Sequence, residues 1–263
     1  MTTKAKVSMF LVVLALIISS IGIIPPKDSA EASAIDPNNL NTVTVANIEA
    51  ELKERAKTDS EAKAALEAFQ KLTSAKKQKL VNYLKNKDVL EALLKQAANS
   101  TTNEVESMYN GDVEIITTSE DKTEAVTEEV VPSSKAISSK VSASSKMTAT
   151  ATKRKTYTTT TYVTHTQVVL GVPVTKLTTW VRYKRDGKNI LAVYAAGAYA
   201  RNFNPGVSVD DKTGKPWRTS TRAYARTTWK GYAVFKGFGV RIDKIQTIWG
   251  MPNGRGSGTL KLA

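Results

Sequence analysis

Cysteine is absent from this chain of 263 residues, and histidine occurs once, at position 165. The absence of cysteine excludes disulfides and a lipid-modified cysteine, so a secreted form of the protein would depend on its core alone for stability. A single histidine without any cysteine also excludes the usual multi-residue zinc sites. We therefore expect neither a metal ion nor any other cofactor.

Glutamate is missing from residues 147–263, whose acidic residues are Asp186, Asp210, Asp211 and Asp243. A glycosidase needs two positioned carboxylates, but the first three aspartates fall in predicted turns, where hydrogen bonds to the backbone explain them. The segment 210–214 lacks the alternating oxygen ligands of a calcium loop. His165 lies between two threonines of a predicted strand, and we expect an ordinary exposed side chain. The sequence therefore predicts no catalytic residues and a protein that is not an enzyme.

The longest apolar run has the composition of an export signal. Two lysines precede the run over residues 9–24, and two prolines, which stop a helix, follow it. Small residues come next, and we favour cleavage after Ala34. The run is shorter than the roughly 20 apolar residues of a spanning helix, which favours cleavage over an uncleaved membrane anchor. We predict a signal peptide at residues 1–34 and a secreted, extracellular protein, and the lack of disulfides suits a Gram-positive exporter.

Positive charge is concentrated in the C-terminal part of the chain, whose total net charge is +14. Residues 147–263 contain 20 basic and four acidic residues, which gives +16, and residues 33–146 contain 15 basic and 18 acidic residues, which gives −3. The first 32 residues carry the remaining +1. All four tryptophans and seven of the nine tyrosines also lie after residue 150. This change of composition predicts two modules with different roles.

The first module, residues 35–98, is predicted to be helical. Its apolar residues recur with a period near 3.6 among alanine, leucine, lysine and glutamate, which favour helices. The segment Thr58-Asp59-Ser60-Glu61 has the pattern of a capping box, in which the threonine and the glutamate satisfy each other's free backbone N–H groups. We expect Thr73 or Ser74 to cap the next helix and Asp88 to cap the last one. So short a segment makes a marginal core, and we expect a small helical hairpin or bundle.

Residues 99–155 are rich in serine and threonine and poor in apolar residues. Such a composition does not offset the entropy of ordering the chain. It predicts a flexible, disordered linker, in which only residues 113–116 have the pattern of a strand. The linker ends in Lys153, Arg154 and Lys155, a candidate processing site. Cleavage there would release the basic module from an acidic helical mask; the alternative is a spacer between independent modules.

From residue 156 the period changes to two, which is typical of strands. Asp186-Gly187 is a strong hairpin signal, because both residues tolerate positive φ. Long loops are expected between residues 204 and 214 and at 250–258. The expected strands after the hairpin are 190–199, 218–229, 231–242, 244–249 and 259–262. The pattern predicts an antiparallel β-sandwich or barrel over residues 156–263, and an α+β protein as a whole.

A cationic and aromatic surface is the main functional signal of the β-domain. Residues two apart in a strand point the same way, so alternate residues of the predicted strand 218–229 form a basic face, and further basic residues lie at a nearby hairpin. A charge of +16 costs stability through self-repulsion and indicates an anionic partner, although a solubilising face is the alternative for any single strand. We predict membrane lipids or wall polymers of bacterial cells as partners, and no specific nucleic acid. The predicted envelope-binding residues are Lys184, Arg185, Lys188, Arg218, Arg222, Tyr224 and Arg226.

Two helical segments, Phe69-Gln70-Lys71-Leu72-Thr73 and Gln78-Lys79-Leu80-Val81-Asn82-Tyr83-Leu84, resemble a motif of secreted Gram-positive proteins, some of which are large bacteriocin-like antibacterials. The resemblance covers only the helical module and implies antibacterial action. With the charge and the export signal, it predicts a secreted, non-enzymatic cationic protein that binds anionic cell envelopes and acts as a bacteriocin. The alternatives are a wall-associated binding or structural protein of the producer, which does not kill, and an enzyme of unknown type.

Overall fold

The computed structural model of the protein describes residues 40–95, 105–131, 152–235 and 238–263, which belong to one compact unit. Within these ranges the chain forms four α-helices followed by ten strands in two antiparallel sheets. The predicted α+β class is thereby confirmed. None of the described helices is both long and apolar enough to cross a membrane.

The helices come first in the chain and follow one another closely. A turn of 3₁₀ helix at Leu40–Thr42 precedes α1 (Val45–Arg55), α2 (Ser60–Gln70), α3 (Ser74–Lys85) and α4 (Lys87–Lys95). A side-chain oxygen at the start of each helix accepts hydrogen bonds from backbone N–H groups that have no partner within the helix. These oxygens belong to Thr44, Asp59, Thr73 and Asn86.

The capping box predicted for α2 was wrong in its details. Asp59, rather than Thr58, caps the helix, because its carboxylate accepts hydrogen bonds from the backbone N–H groups of Glu61 at 2.8 Å and Ala62 at 3.4 Å. The side chain of Glu61 does not return to the helix start. It forms an ion pair at 2.7 Å with Lys176 of the β-sheet.

The other two predicted caps had different outcomes. Thr73 caps α3 as predicted, since its hydroxyl accepts a hydrogen bond from the backbone N–H of Lys76 at 3.3 Å. Asp88 lies inside α4 instead of capping it. The cap of α4 is Asn86, whose side-chain oxygen accepts hydrogen bonds from the N–H groups of Asp88 at 2.9 Å and Val89 at 3.3 Å.

The first sheet has five strands, each antiparallel to the next in chain order. They are β1 (Val105–Met108), β2 (Val113–Val131), β3 (Thr152–Val169), β4 (Val172–Arg185) and β5 (Ile190–Asn202). The predicted hairpin at Asp186-Gly187 is confirmed. Gly187 has a φ of +87°, and the carboxylate of Asp186 accepts hydrogen bonds from the backbone of the turn.

The predicted flexible linker, residues 99–155, is β-sheet in its described part. β1 and β2 lie within it, and β3 begins at Thr152. Val113 and Ile115 of β2 are buried in the core, and β3 places a run of threonines opposite the rest of β2. Threonine is only weakly apolar but is favourable in strands. The strand predicted at residues 113–116 is therefore confirmed as the start of β2, whereas the prediction of disorder was wrong for β1, for the rest of β2 and for the start of β3. It relied on the scarcity of apolar side chains.

The second sheet has the strand order β10-β9-β8-β6, and the short strand β7 also pairs with β8. Its strands are β6 (Val207–Thr213), β7 (Trp217–Arg218), β8 (Ala223–Phe235), β9 (Phe238–Gly250) and β10 (Gly256–Leu262). Several predictions differ from this arrangement. The expected strands 231–242 and 244–249 were wrong in their bounds, because β8 continues to Phe235 and β9 runs without a break from Phe238 to Gly250. The expected long loop at 204–214 contains β6, and the expected strand 218–229 is divided by a turn in which the N–H of Thr219 donates to the carbonyl of Arg222 at 2.8 Å.

The inner faces of the two sheets pack on each other. Val181 and Tyr183 of the first sheet share an apolar cluster with Ala225 and Ile248 of the second. A second cluster contains Trp229 together with apolar residues of both sheets. Neither sheet closes on itself in the part of the chain that the structure describes.

The helices cover one end of the two sheets. Leu84, Leu90 and Leu94 share an apolar cluster with Val172 of the first sheet and Ala233 of the second. The helices and the sheets therefore have a common core. We name this end of the molecule, formed by α1–α4 and the strand ends beneath them, the helix end.

Candidate functional site

Three strand connections meet at the end of the sheets opposite the helices. They join β4 to β5 (residues 186–189), β7 to β8 (219–222) and β9 to β10 (251–255). The backbone N–H of Ile190 donates to the carbonyl of Ser220 at 2.7 Å, and the guanidinium of Arg218 donates to the carbonyl of Ile190 at 3.0 Å. Arg185 donates to the carbonyl of Pro252 at 3.1 Å. These hydrogen bonds tie the connections into one surface, which we name the cationic end.

The cationic end brings together most of the residues predicted to bind an anionic envelope. On its connections or beside them lie Lys184, Arg185, Lys188, Arg218 and Arg222, and also Arg255, which the sequence analysis missed. The acidic residue of these connections, Asp186, forms an ion pair with Arg154. Its carboxylate also accepts hydrogen bonds from the N–H groups of Lys188 at 2.9 Å and Asn189 at 2.6 Å. Asp121 of β2 also lies at this end, where its carboxylate accepts a hydrogen bond from the N–H of Gly256 at 3.0 Å. The basic residues on and beside the connections outnumber these two carboxylates, so the cationic end carries an excess of positive charge.

Two of the predicted binding arginines are held in place by the protein itself. Arg185 donates to the hydroxyl of Thr159 at 3.0 Å and lies 4.5 Å from the ring centre of Tyr157. Arg218 lies opposite Ala223 in the ladder between β7 and β8, and residues paired in this way share a face of the sheet. The prediction that Arg218 shares a face with Tyr224 was therefore wrong, because the turn at 219–222 interrupts the strand.

The remaining predicted residues lie on the outer face of the second sheet with two tryptophans. Trp217 of β7 pairs with Tyr224 of β8, and Tyr224 pairs with Trp249 of β9, so the three rings stand on neighbouring strands. The rings of Trp217 and Tyr224 are stacked, with centres 5.1 Å apart and planes inclined by 7°. The guanidinium of Arg222 lies 5.0 Å from the ring centre of Trp249, and that of Arg226 lies 5.5 Å from that of Trp217. We name these five residues the arginine–aromatic row.

The opposite face of β8 is buried between the sheets. Ala223, Ala225 and Trp229 are covered, and the hydroxyl of Thr227 accepts a hydrogen bond from Thr179 of the first sheet at 3.0 Å. Thr221 is exposed in the turn before the strand. The predicted alternation between a basic outer face and a neutral inner face is therefore present only from residue 223 onward, where β8 begins.

His165 is buried, with 1% of its surface exposed, so the expectation of an exposed side chain was wrong. The indole N–H of Trp229, which can only donate, donates to the side-chain oxygen of Gln246 at 2.8 Å. This contact fixes the orientation of the Gln246 amide, whose nitrogen therefore donates to Nδ1 of His165 at 2.9 Å. Burial, with a contribution from nearby Lys244, lowers the pKa of His165 to about 3. A neutral imidazole in this position is part of the core.

Lys244 is a buried cationic residue that the sequence analysis did not single out. Its ammonium donates to the carbonyl of Leu93 in α4 at 3.1 Å, and the side-chain amide of Gln167 donates to the same carbonyl at 2.7 Å. Burial lowers the pKa of Lys244 to about 7. These two hydrogen bonds connect the last turn of α4 to both sheets.

The predicted processing positions have different places in the molecule. Ala34 lies outside the described residues. Lys153, Arg154 and Lys155 belong to β3, where the last two lie opposite glutamates of β2. These positions are the first residues of β3, where the strand pairs with β2 and not yet with β4, and Lys155 is exposed. They therefore lie in a strand and not in the flexible linker that the sequence predicts, and cleavage there stays a prediction.

Small ligands and metal ions find little space in the parts of the chain that the structure describes. Two cavities have volumes of about 10 Å³ and 20 Å³, whereas sites for small molecules usually enclose about 300–1,000 Å³. Among the described side chains, no three of His, Asp or Glu lie close enough together to hold a metal ion. The exposed surface of the cationic end is the better candidate for binding.

Comparison of the chain with protein-family models, with curated proteins and with solved structures found no match.

Proposed function

We propose that this protein is a secreted, non-enzymatic cationic protein that binds the anionic envelope of bacterial cells through its cationic end and kills them in the manner of a bacteriocin. The observation that carries the proposal is the meeting of three basic strand connections at one end of the sheets. Their one carboxylate, that of Asp186, is occupied by Arg154 and by the turn itself. A charge excess held in a fixed arrangement is suited to a polyanion.

The way in which the two sheets pack on each other is also part of the proposal. We infer that they form a β-sandwich, because residues of both inner faces share the clusters around Tyr183 and Trp229. In a sandwich the strand connections cluster at the two ends. One end is then available for the helices and the other for binding.

The proposal is tested with residues 35–263, the predicted mature chain, applied to a panel of Gram-positive cells. We measure cell binding, growth and dye entry for the wild type, for the double variant Arg222→Glu/Arg226→Glu and for a matched control, Lys63→Glu/Lys71→Glu. The control lysines are exposed on α2 and at its end, at the helix end of the molecule. Both double variants change the net charge equally.

We expect the arginine variant to bind more than about tenfold more weakly, a loss of about 1.4 kcal/mol, while the lysine control binds as the wild type does. Binding should also weaken between about 0.01 M and about 1 M salt, since the Debye length falls from about 30 Å to about 3 Å. Equal binding by both variants would contradict the role of the cationic end. Binding without killing would favour the alternative, a wall-associated protein of the producer.

A further inference from the structure

We infer that the arginine–aromatic row is an interfacial anchor, which seats the cationic end in the headgroup layer of an anionic phospholipid bilayer. The inference rests on the proposed function, because it names the component of the envelope that the same end of the molecule binds. Wall polymers and nucleic acids are the other polyanions such an end could meet. The geometry of the row distinguishes among them.

The three rings of the row are close together and partly open to solvent. Neighbouring strands lie about 4.8 Å apart, so three paired positions span about 10 Å across the sheet. Trp217 is 40% exposed, a large fraction for a tryptophan in a folded protein. A cluster of apolar rings on the exposed face of a sheet is typical of an interaction surface.

Ring faces in the row are already occupied. One face of Trp217 and one face of Tyr224 are used in their mutual stacking at 5.1 Å, and the guanidinium of Arg222 lies over the ring of Trp249 at 5.0 Å. Binding of single-stranded nucleic acid relies on bases stacking on aromatic rings, and the ring faces used in these contacts are not open to a base. Tryptophan and tyrosine in a membrane interface need no free ring face, because their apolar bodies enter the headgroup layer beside the acyl chains. The row therefore favours a bilayer over a nucleic acid.

The two arginines of the row provide the charge complementarity. Neither Arg222 nor Arg226 has a carboxylate within ion-pair distance among the described residues, and both are exposed. A cation held over a ring still has N–H groups directed away from the ring, and the fork of a guanidinium matches two oxygens of a phosphate. The arrangement therefore presents phosphate-binding groups beside apolar rings, which is the chemistry of a phospholipid headgroup.

The outer face of the first sheet shows that this arrangement is not a general property of the surface. Its tryptophan, Trp180, lies against Gly197, where an added Cβ would be 2.7 Å from the indole. Arg182 on the same face is paired with Glu124. This arginine already has a carboxylate partner and this tryptophan is packed against the backbone, so we expect weaker attachment to anionic lipids there than at the arginine–aromatic row.

The experiment uses residues 35–263 with vesicles of equal parts phosphatidylcholine and phosphatidylglycerol, and with vesicles of phosphatidylcholine alone. Bromine atoms on the acyl chains quench tryptophans that reach the membrane interface. We expect quenching only in the anionic vesicles, part of it lost in Trp217→Phe, most of it lost in Trp217→Phe/Trp249→Phe, and all of it retained in the control Trp180→Phe. These substitutions keep an aromatic ring, so the fold is preserved.

The charge contribution is measured by the partition of two further variants into the anionic vesicles. Arg222→Gln/Arg226→Gln should bind about thirtyfold more weakly, from the attraction expected for two basic residues near an anionic surface. The matched control, Lys63→Gln/Lys71→Gln, should change binding less than about twofold. Equal loss in both variants, or equal loss of quenching in Trp217→Phe and Trp180→Phe, would overturn the inference.

Isolated cell walls and a single-stranded oligonucleotide separate failure of this inference from failure of the proposed function. Binding to walls without binding to vesicles would overturn the membrane anchor and leave the proposed function in place. Tight binding to the oligonucleotide alone would contradict both, as would the absence of binding to all three. The expected result is arginine-dependent binding to vesicles in which Trp217 is quenched.

Discussion

The two ends of the molecule treat their charged residues differently. At the helix end, basic residues have carboxylate partners: Lys79 lies 2.6 Å from Asp112, and Lys176 lies 2.7 Å from Glu61. At the cationic end Arg154 is paired with Asp186, but Arg185, Arg218 and Arg222 contact carbonyl groups and aromatic rings instead. This difference indicates that the helix end contributes mainly to stability and the cationic end mainly to binding. It also removes the geometric support for an acidic mask, because the helices lie at the opposite end from the charge they would cover.

The largest effect expected from this comparison is a loss of stability at the helix end. Leu90 of α4 is fully buried in the cluster shared by helices and sheets. Leu90→Ala should lower the free energy of unfolding by about 2–5 kcal/mol, because it leaves a cavity in that cluster. The measurement is equilibrium unfolding in urea. A loss below about 1 kcal/mol would mean that the helices contribute little to the common core.

The matched substitution at the other end is Lys188→Ala, in the exposed turn between β4 and β5. Surface substitutions of this kind usually change stability by less than about 0.5 kcal/mol. The pair of variants therefore measures the division of roles directly. Similar destabilisation by both would contradict it.

A second effect, of intermediate size, is expected from pH. His165 has a pKa lowered to about 3, so between pH 6.5 and 3 the unfolded chain binds a proton that the folded chain does not. The free energy of unfolding should therefore fall with decreasing pH in that range, by about 1.4 kcal/mol per pH unit from this group. Lys244, with a pKa lowered from 10.5 to about 7, should add stability as the pH rises through that interval.

Two variants test which residue causes each change of the free energy of unfolding with pH. His165→Gln should remove the part of the acid slope that comes from the imidazole, and Lys244→Met should remove the alkaline slope. The measurement is unfolding in urea at a series of pH values. An unchanged alkaline slope in Lys244→Met would show that this lysine is not buried in its neutral form.

The smallest of these effects concerns the start of α2. Asp59→Ala should cost about 1 kcal/mol of stability, because its carboxylate caps the helix and also lies 3.2 Å from Arg201. Thr58→Ala should have little effect, although the sequence pattern predicts Thr58 as the cap. Thermal unfolding of the two variants decides between the positions. If Thr58→Ala were the less stable of the two variants, Thr58 would be the cap, as the capping-box pattern predicts.

Much of the fold could be predicted from local sequence patterns. The period of 3.6 identified the helices, and Thr73 and Asp186-Gly187 marked a helix start and a hairpin that the structure contains. Of β2 only residues 113–116, with the buried Val113 and Ile115, were predicted as a strand, because the rest of β2 and its threonine-rich partner strand contain few apolar residues. The strand pairing that stabilises this segment is not visible in its composition.

Only those residues of the candidate site that belong to one predicted strand could be found from the sequence. Arg222, Tyr224 and Arg226 were found from their spacing, but Trp217 and Trp249 join them across the ladder, and the sequence does not reveal the register. Gln246 and His165 are 81 residues apart in the chain, so the buried position of the histidine was equally hidden. Arg218 was predicted in the same strand as Arg222, because the turn at 219–222 contains no glycine or proline that would indicate it.

The hydrogen bonds to the carbonyl of Leu93 indicate the order in which the parts of the protein fold. It accepts hydrogen bonds from Gln167 and Lys244, which follow it by 74 and 151 residues. The helices are made first, but the surface on which α4 docks exists only after the last strands have paired. Contacts between residues so distant in the chain slow folding, and meanwhile the apolar face of α4, with Val89, Leu90 and Leu94, remains uncovered. The nascent chain therefore has a long interval in which it can aggregate, and a holding chaperone that binds α4 during that interval would increase the yield of folded protein.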